Sequence, residues 1–443
     1  MTGEDHIVFE DAFGDRIGDV TEACVGCGKC FEVCPITGAA GIGEREPTAV
    51  TDGVLDILRT GAGPEAAEKW ARSCILSGEC ISACDYGVNP RLMLSMARLS
   101  LAQHRADDRA RQAAGVRSFA VMSQGVKVLS RLQLSEDDLR RLGQGQHSSG
   151  PEDAEAPDYV FYSGCNVLKT PHMALLSLDI MDRLAISYRV LGGPSHCCGI
   201  MHYREGDLAG SGRMATGTIE KFVRTGATEV LSWCPSCHVQ YSEVALPTYE
   251  RASGTRPFEM TPFLIFLDRH LDQLRPHLVR PVNQRIALHL HRGIAGVTEA
   301  ARRLVGAVPG VEIVDLAQPE IGLMSNYLRP LPELQARLQL AELTAAEAAG
   351  VDALAAVYHA DHRDLCAHER DWPFAIINVL EVIGASMGLA RTDHFKRLKI
   401  KQDVDAILAD CADMLDRNGI DADAARPVIE TALLGDQPLP LRG

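Results

Sequence analysis

The sequence predicts an α+β chain in which a helical N-terminal module precedes two doubly wound α/β domains of one pattern. Three observations carry this. Of fourteen cysteines, seven lie between Cys24 and Cys84 and five between Cys165 and Cys237. Short apolar runs alternating with helical periodicity begin only after residue 157. A stretch around Gly226 reappears around Gly350. At 443 residues the chain needs more than one core.

Bulk properties narrow the function. A hydrophobic content of 46% suits a globular protein, and a net charge of -15 opposes binding to phosphate-rich nucleic acid or anionic lipid. The acidic start "MTGEDHIVFEDAFGD" lacks the basic and apolar regions of a signal peptide. The apolar run "PFAIINVLEVIGASMGLA" is broken by Glu381. A cytoplasmic protein is expected, where disulfides are rare and many cysteines imply metal.

The first element, residues 1–142, contains "CVGCGKCFEVCP", with Cys24, Cys27, Cys30 and Cys34 spaced C-x2-C-x2-C-x3-C-P. This is the bacterial ferredoxin run: three thiolates on one tight loop grip one cluster and the fourth turns to its neighbour. Zinc sites instead tend to pair two short motifs. A second run, "CILSGECISACDYGVNP", holds Cys74, Cys80 and Cys84, with Ser77 where a further cysteine would fall. A lost thiolate leaves either a three-iron cluster or a four-iron cluster with Ser77 or water at the open corner. "RLMLSMARLSLAQHRADDRARQAA" reads as one helix closing the module, and "GQGQHSSGPEDAEAP" as a linker over residues 143–157.

The second run resembles the cluster segment of the succinate dehydrogenase and fumarate reductase iron–sulfur subunits. That resemblance implies a [4Fe–4S] cluster on Cys24, Cys27, Cys30 and Cys84, and a [3Fe–4S] cluster on Cys34, Cys74 and Cys80.

Residues 158–280 form the next element. "DYVFYSGCNV", "SYRVLGGPSHCCG" and "ATEVLSWCPSCHVQY" each read as a strand with cysteines just past its carboxyl end: Cys165, then Cys197 and Cys198, then Cys234 and Cys237. In a doubly wound sheet those ends share one edge, the usual ligand site. Cys234 and Cys237 alone would suit a thioredoxin-like pair, but five cysteines on one edge suit a cluster. The spacings, 31 residues between Cys165 and Cys197 and 35 between Cys198 and Cys234, resemble the cysteine-rich CCG domain of heterodisulfide reductases. The resemblance implies a noncubane [4Fe–4S] cluster acting on a disulfide.

Residues 281–443 read as the same domain without its thiols, followed by C-terminal helices. At an offset of 124 residues Tyr358 falls on Cys234, Asp361 on Cys237, and Ile321 and Gly322 on Cys197 and Cys198; Arg292 falls opposite Cys165. His289, His291, Arg292, Tyr358, His359 and His362 are the candidate pocket residues of this half, to bind an anionic substrate or move protons, with the alternative that they fill a relic site. "HADHRDLCAH" matches no common zinc motif, and His359, His362, Cys366 and His368 are expected on a solvated helix. The run Arg391, Lys396, Arg397, Lys399 and Lys401 is expected on a solvated face, and Cys411 in the core.

The whole chain then resembles the heterodisulfide reductase family of D type: a ferredoxin-like module fused to two CCG domains. The resemblance implies an oxidoreductase subunit passing electrons through the N-terminal clusters to or from a sulfur-bond site. The alternative is a relay subunit of a flavoprotein dehydrogenase (glycolate, glycerol-3-phosphate, succinate/fumarate or amine type) delivering electrons towards quinone. No glycine-rich dinucleotide fingerprint occurs. The expected partners are a flavoprotein or other redox subunit, a quinone-linked membrane partner that would hold the protein at the inner membrane, and a small thiol or disulfide substrate, but no nucleic acid.

Overall fold

The computed structural model describes residues 3–144, 156–290, 292–320, 325–435, 437 and 439–441. Much of the expected linker, along with His291, Ile321 and Gly322, lies outside the described residues. The chain is α+β, with an all-helical N-terminal part and two four-stranded parallel sheets. No helix among the described residues is long and apolar enough to cross a membrane.

Both cysteine runs fold alike. Gly28 and Gly78 each take a left-handed conformation, φ +79° and +82°, and each starts a short helix, Lys29–Glu32 and Glu79–Ser82. A side chain at Gly28 would place its Cβ 2.6 Å from that of Pro47, so only glycine fits. The expected single helix after Pro90 is two: Pro90–Arg105 and Asp108–Arg131. Ala106 is extended, and the Asp107 side chain accepts from the Ala110 amide at 2.8 Å, which caps a fresh helix and stops the old one.

The first sheet contains β1 (Tyr159–Tyr162), β2 (Tyr188–Leu191), β3 (Glu229–Ser232) and β4 (Glu259–Pro262) in the order β2-β1-β3-β4. The second contains β5 (Gln284–His289), β6 (Val311–Val314), β7 (Ala353–Ala356) and β8 (Ala375–Asn378) in the order β6-β5-β7-β8. Register equates the halves, since Tyr162 pairs with Ser232 and His289 with Ala356. The helix after β1, Pro171–Arg183, packs on Val379–Met387 after β8, while Phe263–Arg269 after β4 packs on Val297–Gly306 after β5. The halves therefore meet around a pseudo-twofold axis. One apolar core runs from Phe13 and Trp70 through Phe161 to Ile286 and Val379, so the helical part is fused to both sheets.

Arg91 ties three parts together. Its guanidinium donates to the Glu243 carboxylate of the first half, to the Gly293 carbonyl of the second, and to the Leu76 carbonyl at 3.1 Å. Arg16 adds a bond to the Val244 carbonyl at 2.9 Å.

Candidate functional site

Cys24, Cys27, Cys30 and Cys84 line one small pocket together with Pro90 and Met93. Cys34 and Cys74 lie beside Cys80. The two runs thus exchange one cysteine each, as crossed cluster loops require. Burial pushes the Cys30 thiol up to about 11 and the Cys80 thiol higher still, with neighbouring thiols adding to both. Such a set is stable as thiolates only around a cation, which fits a soft iron–sulfur cluster. Trp70, fully buried, donates its indole N–H to Cys34 Sγ at 3.3 Å. Leu76 has φ +57° where the first loop has Gly26 at +68°. The second loop keeps the cluster-loop turn against the preference of a leucine, and Arg91 holds its carbonyl there. Ser77 is buried beside Gly78, Arg91 and Arg292 on a surface depression.

In the first sheet the strand order reverses between β1 and β3, which opens a crevice at their carboxyl ends. Cys165 follows β1 there and Cys234 follows β3. Gly164, φ +74°, makes the approach feasible: a Cβ on it would lie 2.9 Å from that of Cys234. After β2, Gly199 at φ +80° turns the chain just past Cys197 and Cys198, and its amide donates to Cys197 Sγ at 3.4 Å. Cys237 sits in the first turn of Pro235–Val239. All five cysteines are buried, and Cys198 Sγ lies 3.5 Å from Cys237 Sγ.

Their thiols share protons. Hydrogen bonding with Cys197, then burial, holds Cys165 well up; bonds with Cys198 and Cys234 do the same to Cys237. A bond with Cys197, then one with Cys237, holds Cys198 down, and the bond with Cys237, helped by His359, does the same to Cys234. Five converging sulfurs with split ionisation, none in a disulfide, are a donor set suited to a polynuclear soft-metal group. Burial keeps the phenols of Tyr162 and Tyr241, which neighbour Cys198 and Cys237, neutral.

The second-half candidates separate. Tyr358, buried, packs its ring 6.5 Å from that of Trp233 and sits near Cys234, which His359 touches directly. His289 bonds Glu342 at 2.6 Å and lies 3.8 Å from Asp361. His362 bonds Asp393 at 2.6 Å. Arg292 is exposed and pairs with Glu320 at 3.4 Å. Two expectations are corrected. His359, His362, Cys366 and His368 are buried rather than solvated, because β8 and the helices after residue 393 cover their helix. The basic run is also largely paired: Arg391 with Asp179, Lys396 with Glu369, Arg397 and Lys401 with Asp410, while Lys399 is fully buried and donates to the Arg363 carbonyl. Cys411 lies in the core.

A cavity of about 250 Å³ reaches from Cys74 to Ser236 and has no counterpart among the sequence expectations. Cys74 lines one part and Ser236, between Cys234 and Cys237, another; Arg98, Arg204 and Arg329 supply positive charge. Arg204 stands on the helix that starts directly after the paired cysteines, Ile200–Arg204, and donates to Tyr327 Oη. Its place six residues after Cys198 is the one signal of this cavity that the sequence carries.

Comparison with known proteins agrees with this geometry. Residues 20–88 match the 4Fe-4S dicluster domain family, and residues 159–242 match the cysteine-rich domain family CCG. The chain is thus an iron–sulfur protein that joins a dicluster module to a CCG module. It is similar to the D subunits of dihydromethanophenazine:CoB–CoM heterodisulfide reductase: 24% identity over 325 residues to that of Methanosarcina barkeri, and 23% over 323 to that of Methanosarcina mazei. Each match covers 67% of this chain and 75% of the relative. The order of the two modules, dicluster first and CCG second, is the arrangement over which the chain resembles these D subunits. No solved structure gives a significant match.

Proposed function

We propose that this chain is the iron–sulfur subunit of a multi-subunit oxidoreductase that reduces, or in reverse forms, a small disulfide. Cys24, Cys27, Cys30 and Cys84 would hold a [4Fe–4S] cluster. Cys34, Cys74 and Cys80 would hold a [3Fe–4S] cluster, or with Ser77 a second [4Fe–4S]. Cys165, Cys197, Cys198, Cys234 and Cys237 would hold a noncubane [4Fe–4S] cluster. The bound clusters supply one-electron transfers and a soft surface for substrate sulfur. Cleavage consumes two electrons and two protons and releases two thiols; the electrons come from a flavoprotein or another redox subunit.

The single observation behind this reading is the cavity whose wall includes both Cys74 and Ser236. Arg98, Arg204 and Arg329 line it and would bind the anionic ends of a disulfide. Tyr358 and His359 close the site from the second half and exclude water, with His359 set beside Cys234. The module division at residues 143–157 and near 281 follows from the same scheme. Electron paramagnetic resonance of the anaerobic, oxidised protein tests it, before and after adding small thiols. A thiol-dependent signal that vanishes in Cys198→Ala is expected; full thiol–disulfide turnover by that variant would sink the idea.

A second reading makes the chain a relay from a flavoprotein dehydrogenase to a quinone-linked membrane partner. Arg292, Tyr358 and Asp361, standing where a second cluster's cysteines would be, favour it. It predicts a thiol-insensitive spectrum and co-purification with a flavoprotein.

A further inference from the structure

A second group of ligating side chains lies between the two halves, and the redox site does not use it. His172 comes from the first turn of Pro171–Arg183 after β1, His362 from His359–Leu365 after β7, and Asp393 from the cap of His394–Lys399. One ligand atom from each lies within 4.8 Å of the others. Their exposures are 3%, 0% and 9%, so the group is closed to solvent.

Hydrogen bonding leaves it incomplete. Neither ring nitrogen of His172 has a hydrogen-bond partner among the described residues, although Nδ1 is 3.5 Å from Asp393 Oδ1 and Nε2 is 3.8 Å from Glu381 Oε2. An imidazole this deeply buried normally has its nitrogens satisfied. His362 turns Nε2 to Asp393 Oδ2, and its ring stands 5.6 Å from that of His172 at 63°. The neighbouring cation, Lys396, is already matched by Glu369 at 2.8 Å.

We propose that His172, His362 and Asp393 bind one divalent zinc ion. Two imidazoles and a carboxylate in a dry setting suit zinc. With His172 Nδ1 on the metal, its Nε2–H faces Glu381, the carboxylate–histidine pairing that fixes ring orientation at metal sites. Glu381 is itself held in place by accepting from the Asn378 amide at 2.7 Å. One ligand comes from the first half and two from the second, so the ion pins the halves together. It also steadies the helix whose His359 bonds Cys234, which makes it a positioning element for the redox site, chemically independent of the sulfur chemistry proposed there.

The test is elemental analysis of the full chain, purified anaerobically with its iron content measured in the same sample. About one zinc per chain is expected, with a zinc-edge absorption spectrum of nitrogen and oxygen ligands showing imidazole scattering. His172→Gln should lose the zinc and keep its iron, and Glu381→Gln should weaken zinc binding roughly 10- to 100-fold. Should His172→Gln fail to fold, chelator-stripped wild-type protein titrated with Zn²⁺ alone takes its place, with saturable uptake of about one ion expected. Absence of zinc both on purification and on titration overturns the proposal, as does sulfur in the zinc shell or zinc retained by His172→Gln.

Discussion

After β1 and β3 the chain carries Cys165 and Cys234; after β5 and β7, on a sheet of identical strand order, it carries Arg292 and Tyr358. Tyr162 ends β1 where His289 ends β5. In the second half, histidine and carboxylate bond one another through His289, Glu342 and Asp361. The strand order therefore does not require the five cysteines, and the half that lacks their counterparts sets its own side chains against the other. Tyr358 and His359 of that half face the cysteines of the other.

The largest effect separating the halves is expected at the thiols. Cys198→Ala should lose the iron of the five-cysteine site and reduce disulfide turnover to background, whereas Tyr358→Phe should keep full iron content; iron analysis beside turnover decides this. Next comes Glu342→Gln, which strips His289 of its main partner. Breaking a buried pair typically costs about 3 to 5 kcal/mol, so a lowered denaturation midpoint with unchanged iron is expected.

The same pair sets a pH response. Burial alone would lower the His289 pKa, but Glu342 and Asp361 outweigh it and hold it well above the ordinary 6.5. A raised folded-state value means the stabilisation is complete below pH 6.5 and fades as pH rises through the folded value. Wild-type stability should fall on the alkaline side, and the Glu342→Gln variant should show a smaller fall.

Gly164→Ala forces a Cβ against Cys234 in a left-handed turn and should cost about 1 to 3 kcal/mol, with iron lost from the five-cysteine site alone. The matching position in the second half is His291, where no paired cysteines require glycine. The smallest effect is expected at Trp70→Phe. Removing the N–H bond to Cys34 Sγ takes away about 1 kcal/mol of preference for the reduced cluster, a drop of roughly 40 mV by redox titration.

The strand ends and the twelve cysteines in two groups were legible because both are local patterns: alternating periodicity, Gly turns and fixed spacings. The break at Asp107 was hidden because a capping aspartate inside a run of helix formers leaves the periodicity intact. Burial of "HADHRDLCAH" was illegible for a different reason. Its polar side chains are paired by residues distant in sequence, such as Asp393 for His362. The arginine-lined cavity shares that cause, since Arg98, Arg204 and Arg329 come from three separated segments.

Arg91 sets an order on how the protein is made. Its bond to the Gly293 carbonyl spans 202 residues, yet the same side chain holds Leu76 in the strained turn between Cys74 and Ser77. At usual synthesis rates that gap takes roughly 10 to 40 s to translate. Throughout that interval the second cysteine loop lacks one of its clamps, and iron loaded early meets an unfinished socket. Maturation of the N-terminal module is thereby coupled to completion of the chain, and truncated products should emerge with the Cys34, Cys74 and Cys80 site poorly filled.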